Sequence, residues 1–310
     1  MTAPSSEGID RNRELTMRLA GSAKTFTRID GVSPEVATAS KFRYEADMLQ
    51  PLAKHSNKLT STLSRVAQWS TYFEVPVSTC GIADILFVEV SPGVAEKRLA
   101  GGRSPILDLN ELRCFIILQR VRIGFTAEEI AQRVGLSAVG LRRGPLKRLL
   151  SRGHVATDKV GRFTPAWRYV NPVRKIIAVE VKRTDWRGAM AQAKNYLSFA
   201  DRSYIAMEPS AAMHAVNQST WVDNLGIGVA SVDATTRQVS VLRRGDRPSV
   251  GASRVHRYLA AEYILNLISS DATSGPISHV FGSNLSVSAG VDPRRQNGAN
   301  LLLEELLPLG

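Results

Sequence analysis

The chain has 310 residues, 40 lysines and arginines against 28 acids (formal charge +12), and is 44% hydrophobic, which suits two domains, or one with a large insertion, around a sizeable core. No apolar run reaches the roughly 18 residues that span a bilayer, and residues 1–13 hold no apolar signal core. Cys80 and Cys114 are too few for a disulfide framework or a thiolate metal site, so a cytoplasmic protein without membrane contact is expected.

Residues 1–33 are expected to form a flexible arm. Ser33-Pro34-Glu35 sets a capping residue before a proline at a first helical position and opens a core segment, 34–92. A helix is expected over 41–55, with Phe42, Met48, Leu49 and Leu52 on one side and Glu45 within it. A strand follows within 64–77, rich in β-branched and aromatic residues. Asp84 then begins the run Ile85-Leu86-Phe87-Val88-Glu89-Val90, which reads as a buried strand. Ser91-Pro92-Gly93 and Gly101-Gly102 break the pattern and mark the start of an insertion, 93–172.

Within the insertion a helix is expected over 109–119. Thr126 with Glu129 forms a capping box, and Gly135 ends the helix it starts. Leu136-Ser137 opens a second helix carrying Arg142, Arg143, Lys147, Arg148 and Arg152. Gly144-Pro145 falls inside it; an interior proline costs about 3 kcal/mol, so a kink or a late start is expected. Gly153-His154-Val155 leads into a hairpin with Gly161 at its tip and Arg162 beside it. Residues 91–172 hold 15 Lys/Arg against 6 Asp/Glu, a net of +9 in about a quarter of the chain. Such a concentration points to a polyanion, most simply nucleic acid, and otherwise to a solvated basic surface.

A second core segment, 173–245, begins with Ile176-Ile177-Ala178-Val179-Glu180-Val181-Lys182, a buried strand with Glu180 and Lys182 on one face. Thr184-Asp185 caps a helix to about residue 200 that carries Gln192. Strand 203–207, helix 210–222, strand 226–232 and strand 239–242 follow. A C-terminal extension, 246–310, holds a helix near 255–268 and a leucine-dense tail, 301–309, that packs on its own domain or on a partner such as a second copy.

Two carboxylates and an ammonium at strand ends are costly to bury without partners, and a divalent metal with a phosphate would supply them. Helix, tight turn, basic helix and hairpin over about 107–168 resemble a winged helix-turn-helix. The order helix (Glu45), strand, strand (Asp84), strand (Glu180, Lys182), helix (Gln192), strand resembles the core of the PD-(D/E)XK nuclease superfamily. Gly81-Ile82-Ala83-Asp84, Glu180-Val181-Lys182, Asp185-Trp186-Arg187 and Ala191-Gln192-Ala193-Lys194-Asn195-Tyr196 carry the likeness, over about 41–90 and 173–243. The resemblance implies an α/β fold: a restriction-endonuclease-like mixed central sheet flanked by helices and interrupted by a winged-helix insertion. It implies Mg²⁺, with Mn²⁺ as a substitute, held by Asp84, Glu180 and the carbonyl of Val181. Lys182 would orient a water and stabilise developing charge, Glu45 would reach in from the first helix, and Gln192 would complete the catalytic set. Double-stranded DNA would be the substrate, contacted by Arg142, Arg143, Lys147, Arg148, Arg152 and Arg162, with Arg183 and Lys194 as further backbone contacts. The alternative is a non-catalytic, transcription-regulator-like DNA-binding protein on a degenerate nuclease scaffold. Taken singly, Glu45 also reads as a solvated helix carboxylate, Glu180 with Lys182 as an edge-strand salt bridge, and Asp84 as a turn cap.

Overall fold

The central strands are apolar on both faces, which requires cover on both. A computed structural model of the chain describes residues 41–61, 63–64, 68–77, 80–218, 225–246, 254–274, 279–280 and 283–284. The arm at 1–33, the cap at Ser33 and the leucine-dense tail lie outside the described residues. Phe42 and a 3₁₀ turn, Glu45–Met48, precede helices Leu49–Lys54 (α1) and Asn57–Thr60 (α2). Strand Ser70–Pro76 (β1) begins later than the composition suggests and pairs with Ile82–Val90 (β2).

Pro92–Ala100 (α3) is helical, where Ser91-Pro92-Gly93 was expected only to break structure. Proline occupies the first turn, where its missing N–H costs nothing, so it starts the helix. Next come Leu109–Leu118 (α4), Ala127–Val134 (α5), Ala138–Arg143 (α6), Pro145–Ser151 (α7) and the hairpin of Val155–Thr157 (β3) with Phe163–Pro165 (β4). The capping box forms as expected: Glu129 N–H donates to Thr126 Oγ1 and Thr126 N–H to Glu129 Oε2. Gly135 closes α5 at φ 70°, a conformation open to glycine. The expected interruption falls at Gly144, between α6 and α7. These helices and the hairpin share one core, built on Leu112, Phe115, Ile130, Leu146, Leu149 and Trp167.

Val173–Val181 (β5), Trp186–Tyr196 (α8), Arg202–Met207 (β6), Pro209–Asn217 (α9), Gly228–Val232 (β7), Val239–Arg243 (β8) and Arg254–Ser269 (α10) complete the main elements. His279–Val280 (β9) and Ser283–Asn284 (β10) form a small separate pair. The fold is α/β, with a mixed six-stranded sheet in the order β1-β2-β5-β6-β7-β8. β2 is antiparallel to β1 and β5, β6 and β7 run parallel to β5, and β8 is antiparallel. One face buries Phe73, Phe87, Ile177 and Val179 under Met48, Leu49 and Leu52. The other buries Leu86, Val88, Ile176 and Ala178 under Tyr196, Phe199, Ala260 and Ile264. No helix among the described residues is long and apolar enough to cross a membrane.

α10 lies in the segment expected as an extension, yet it joins two cores: Ala260, Ala261 and Ile264 face the sheet, and Leu259 packs into the helical insertion. Glu262, on the same helix, is fully buried. Both guanidinium NH groups of Arg98 donate to it at 2.5 Å, with Ile106 N–H at 2.7 Å and the Tyr169 hydroxyl at 2.9 Å. Arg98 in turn lies 4.8 Å from the Trp167 ring and 5.4 Å from that of Tyr169. Four donors on one carboxylate offset its desolvation, whereas removing it strands Arg98 in the interior. Glu262→Ala is expected to cost about 3–5 kcal/mol in urea unfolding of the full chain; a change below about 1 kcal/mol would show that this hub does not bind the elements together.

Candidate active site

The register of the sheet assembles the charged residues. Ile85 pairs with Val179, so the next pair outward is Asp84 with Glu180. Phe73 pairs with Ile85 and Val75 with Ala83, so Glu74 stands opposite Asp84 on the other side. Opposed residues of antiparallel strands share a face. Glu180 and Lys182 share one by alternation.

Asp84, half-buried, accepts a hydrogen bond on Oδ2 from Val181 N–H at 2.6 Å. The bond ties the end of β2 to β5 through the Val181 N–H and leaves the Val181 carbonyl, the expected metal ligand, uninvolved in it. Glu180 is 1% exposed. Its Oε2 lies 2.6 Å from the Tyr196 hydroxyl, which lies 2.6 Å from the Ile82 carbonyl as well. One phenolic proton serves one acceptor at a time, so the Tyr196 hydroxyl donates either to Glu180 or to the Ile82 carbonyl. Lys182 Nζ lies 3.1 Å from Glu180 Oε1 and donates to Glu45 Oε2 at 3.2 Å. Glu45 Oε1 accepts from Arg183 N–H at 3.3 Å. The Arg183 side chain turns away to Glu208, 3.1 Å from its Oε1.

Glu45, Asp84, Glu180 and Lys182 are therefore together, at the end of β5. Gln192 is not joined to them: it is exposed on α8, one turn before Tyr196, and makes no hydrogen bond to this cluster among the described residues. Tyr196 reaches Glu180 instead. Sequence reasoning also passed over Glu74, whose φ of 49° is left-handed and rare for glutamate. Tyr72 and Val75 lie in one cluster although three apart, so facing shifts by one residue at Glu74. A lone acid within a strand carries no signal of such a kink.

Electrostatics mark these carboxylates as unsatisfied. Burial, then the neighbouring Glu180 charge, pushes Asp84 well above the usual carboxylate range, and the Val181 N–H offsets this in part. Burial also raises Glu180, against the opposing pull of Tyr196 and Lys182. Glu74 is raised by burial and by Glu180. Burial pulls Lys182 down, but Glu180, Asp84 and Glu45 outweigh it and hold the ammonium charged. Glu180 Oε1 is buried without a hydrogen bond, its charge partner being Lys182. No group of three or more His, Cys, Asp or Glu among the described residues is arranged to hold a metal unaided. The oxygen donors of Asp84 and Glu180 fit a hard cation that keeps waters and a phosphate for its other positions.

The basic residues of the insertion divide by partner. Arg148 and Arg152 both pair with the buried Glu111 of α4, and Arg148 also lies 3.5 Å from Asp108. These two, expected to contact DNA, fasten α7 to α4 through Glu111 and remain partly exposed. Arg142 pairs with Glu128 at 2.7 Å and Arg162 with Glu129 at 3.5 Å, both partly solvated. Arg143 and Lys147 are exposed and carry no ion pair among the described residues. His154 is buried, accepts on Nδ1 from the Trp167 indole N–H at 3.3 Å, and is pushed down to about 4 by burial and by Arg152 and Arg98.

No family model matches this chain, and no curated protein or solved structure matches it.

The raised Asp84 value has a thermodynamic consequence. Below about pH 4 the folded and unfolded states both keep the proton, so the group is neutral to stability. As pH rises from the unfolded value toward the raised folded one, the unfolded state releases this proton while the folded state keeps it, so stability falls, and it levels once the folded group also ionises. Asp84→Asn retains an oxygen for Val181 N–H and removes that loss. Without divalent metal, its Tm at pH 7 is expected to exceed that of the parent, with the gap closing toward pH 4; a lower Tm at pH 7 would contradict the assignment.

Proposed function

We propose that the chain is a metal-dependent nuclease that hydrolyses DNA phosphodiester bonds, on a restriction-endonuclease-like core interrupted by a winged helix. The observation that carries this reading is the Lys182 ammonium, 3.1 Å from Glu180 and 3.2 Å from Glu45, beside Asp84 at a strand end. A scaffold that needed shape alone would be more stable with apolar residues there.

Asp84 and Glu180 would hold Mg²⁺ or Mn²⁺, which when bound offsets charge on the scissile phosphate and activates a water. Lys182 stays protonated and directs N–H donors at the phosphate oxygens as their charge grows. Glu45 restrains that ammonium, and is itself restrained by Arg183 N–H. Tyr196 fixes the rotamer of Glu180 from α8. Arg143 and Lys147, unpaired within the insertion, contact phosphates of double-stranded DNA, while Arg142 and Arg162 exchange exposed ion pairs for phosphate. A second reading, a non-catalytic DNA-binding protein on a degenerate nuclease scaffold, draws support from one feature: Lys182 already pairs with both Glu180 and Glu45 without a metal ion.

Cleavage of plasmid in Mg²⁺ separates the two readings. Lys182→Ala and Glu180→Ala are each expected to lower the cleavage rate by about 100-fold or more, with circular dichroism unchanged. Cleavage at the parental rate by either variant would reject the catalytic assignment. For DNA binding, Arg143→Glu with Lys147→Glu is expected to flatten log K against log salt by about 0.9 per lost phosphate contact. An unaltered slope would place the DNA surface elsewhere.

A further inference from the structure

A cleft of about 680 Å³ opens where the end of α4, the connector after β4 and the start of α10 meet. Its wall includes Trp167, Tyr169 and Tyr258 alongside Arg120, Arg168 and Arg254, and no acidic residue. The three arginines are exposed and carry no ion pair among the described residues. The rings form a connected group: Trp167 and Tyr169 have centroids 6.1 Å apart, Tyr169 and Tyr258 4.8 Å. Tyr169 and Tyr258 are half-buried, so each contributes ring surface to the opening.

The wall is held in place before any ligand arrives. Gln119 donates its amide N–H to the Trp167 carbonyl and accepts from Tyr169 N–H, each at 3.0 Å, which fixes the backbone on both sides of Arg168. The Tyr169 hydroxyl is tied to Glu262. On the far side of Trp167 a second cleft, of about 500 Å³, adds Lys97 and Arg103 and again has no acid in its lining. The two clefts share Trp167 and Arg168, so positive charge continues past the ring from one to the other.

Arginines without counter-ions select an anion, and tyrosine and tryptophan faces select a flat ring. A nucleotide unit offers both at the spacing of one residue of strand. Duplex DNA offers its phosphates but keeps base faces stacked inside, out of reach of these rings. A volume of several hundred cubic ångströms suits one such unit. We propose that this cleft holds an unpaired nucleotide of a nucleic-acid strand, with its base on Tyr258 and Tyr169 and its phosphates on Arg120, Arg168 and Arg254. The residues are separate from the carboxylate cluster and from the basic helices α6 and α7. The inference shares with the proposed function only the premise of a nucleic-acid ligand, and it requires no hydrolysis.

Anisotropy of a fluorescein-labelled oligothymidylate of about 12 nucleotides, against a blunt duplex of equal length, tests it in excess EDTA with the full chain. The parent is expected to bind the single strand. The exposed pair Arg168→Ala with Arg254→Ala, and separately Tyr258→Ala, are expected to weaken strand binding about tenfold or more and duplex binding less than twofold. Tyr258→Phe, which keeps the ring, is expected to bind the strand as the parent does. The arginine pair keeps the test decisive if Tyr258→Ala fails to fold. A parent that does not bind the strand, variants that bind it undiminished, or equal losses on strand and duplex would each overturn the inference. So would thymidine monophosphate binding as tightly as the strand, which would make this a free-nucleotide site. With metal chelated, none of these results bears on whether the chain cleaves DNA.

Discussion

The antiparallel register of β2 on β5 governs where the charged groups at the rim of the sheet point. Asp84 and Val181 are 97 residues apart and are joined by one hydrogen bond, in the register that sets Ile85 against Val179. A slip of one residue would turn every side chain of β2 to the opposite face. The slip is resisted by packing on both sides: Phe87 and Ile177 lock into one cluster, Leu86 and Ala178 into the other. Burying one such side chain contributes about 1.5–3 kcal/mol. The sum over both faces exceeds the cost of crowding Asp84, Glu180 and Glu74, a cost visible in the upward displacement of all three. The sheet imposes an electrostatically unfavourable arrangement that the carboxylates would not adopt by themselves.

Buried carboxylates elsewhere in the protein show the contrast. Glu262 receives four donors, two of them from a guanidinium. Glu111 faces both Arg148 and Arg152. In those two places cationic and polar donors are ample, and the pairs join helices. At the end of β5 the balance is reversed, with Glu45, Glu74, Asp84 and Glu180 around the single ammonium of Lys182. An excess of acid oxygen at a strand end is what a hard cation and a phosphate would relieve. The arginine-rich cleft beside Trp167 has the opposite imbalance, with three arginines and no acid in its wall.

Local chemistry that acts within a few residues was legible in the sequence. The Thr126–Glu129 box, the stop at Gly135 and the break at Gly144-Pro145 all form where they read. So did the strands bearing Asp84 and Glu180, because short β-branched runs between turns have few other uses. What escaped depends on partners far along the chain. Arg148 and Arg152 look like free positive charge until Glu111 is folded beneath them. Pro92 reads as a break, and only the folded chain shows it starting a helix. Glu74 gave no sign of its left-handed backbone, and Tyr196 reads as one apolar position among several on α8. α10 was visible as a helix, but its place between two cores follows from tertiary contacts of Leu259, Ala260 and Glu262.

Binding of Mn²⁺ to the full chain, followed by electron paramagnetic resonance of the free ion, tests the carboxylate cluster as a cation site without recourse to any substrate. The account predicts at least one bound ion per chain in the parent and loss of that binding when Asp84→Asn and Glu180→Gln are combined. A doubly substituted protein that binds Mn²⁺ as the parent does, or a parent that binds none, would contradict it.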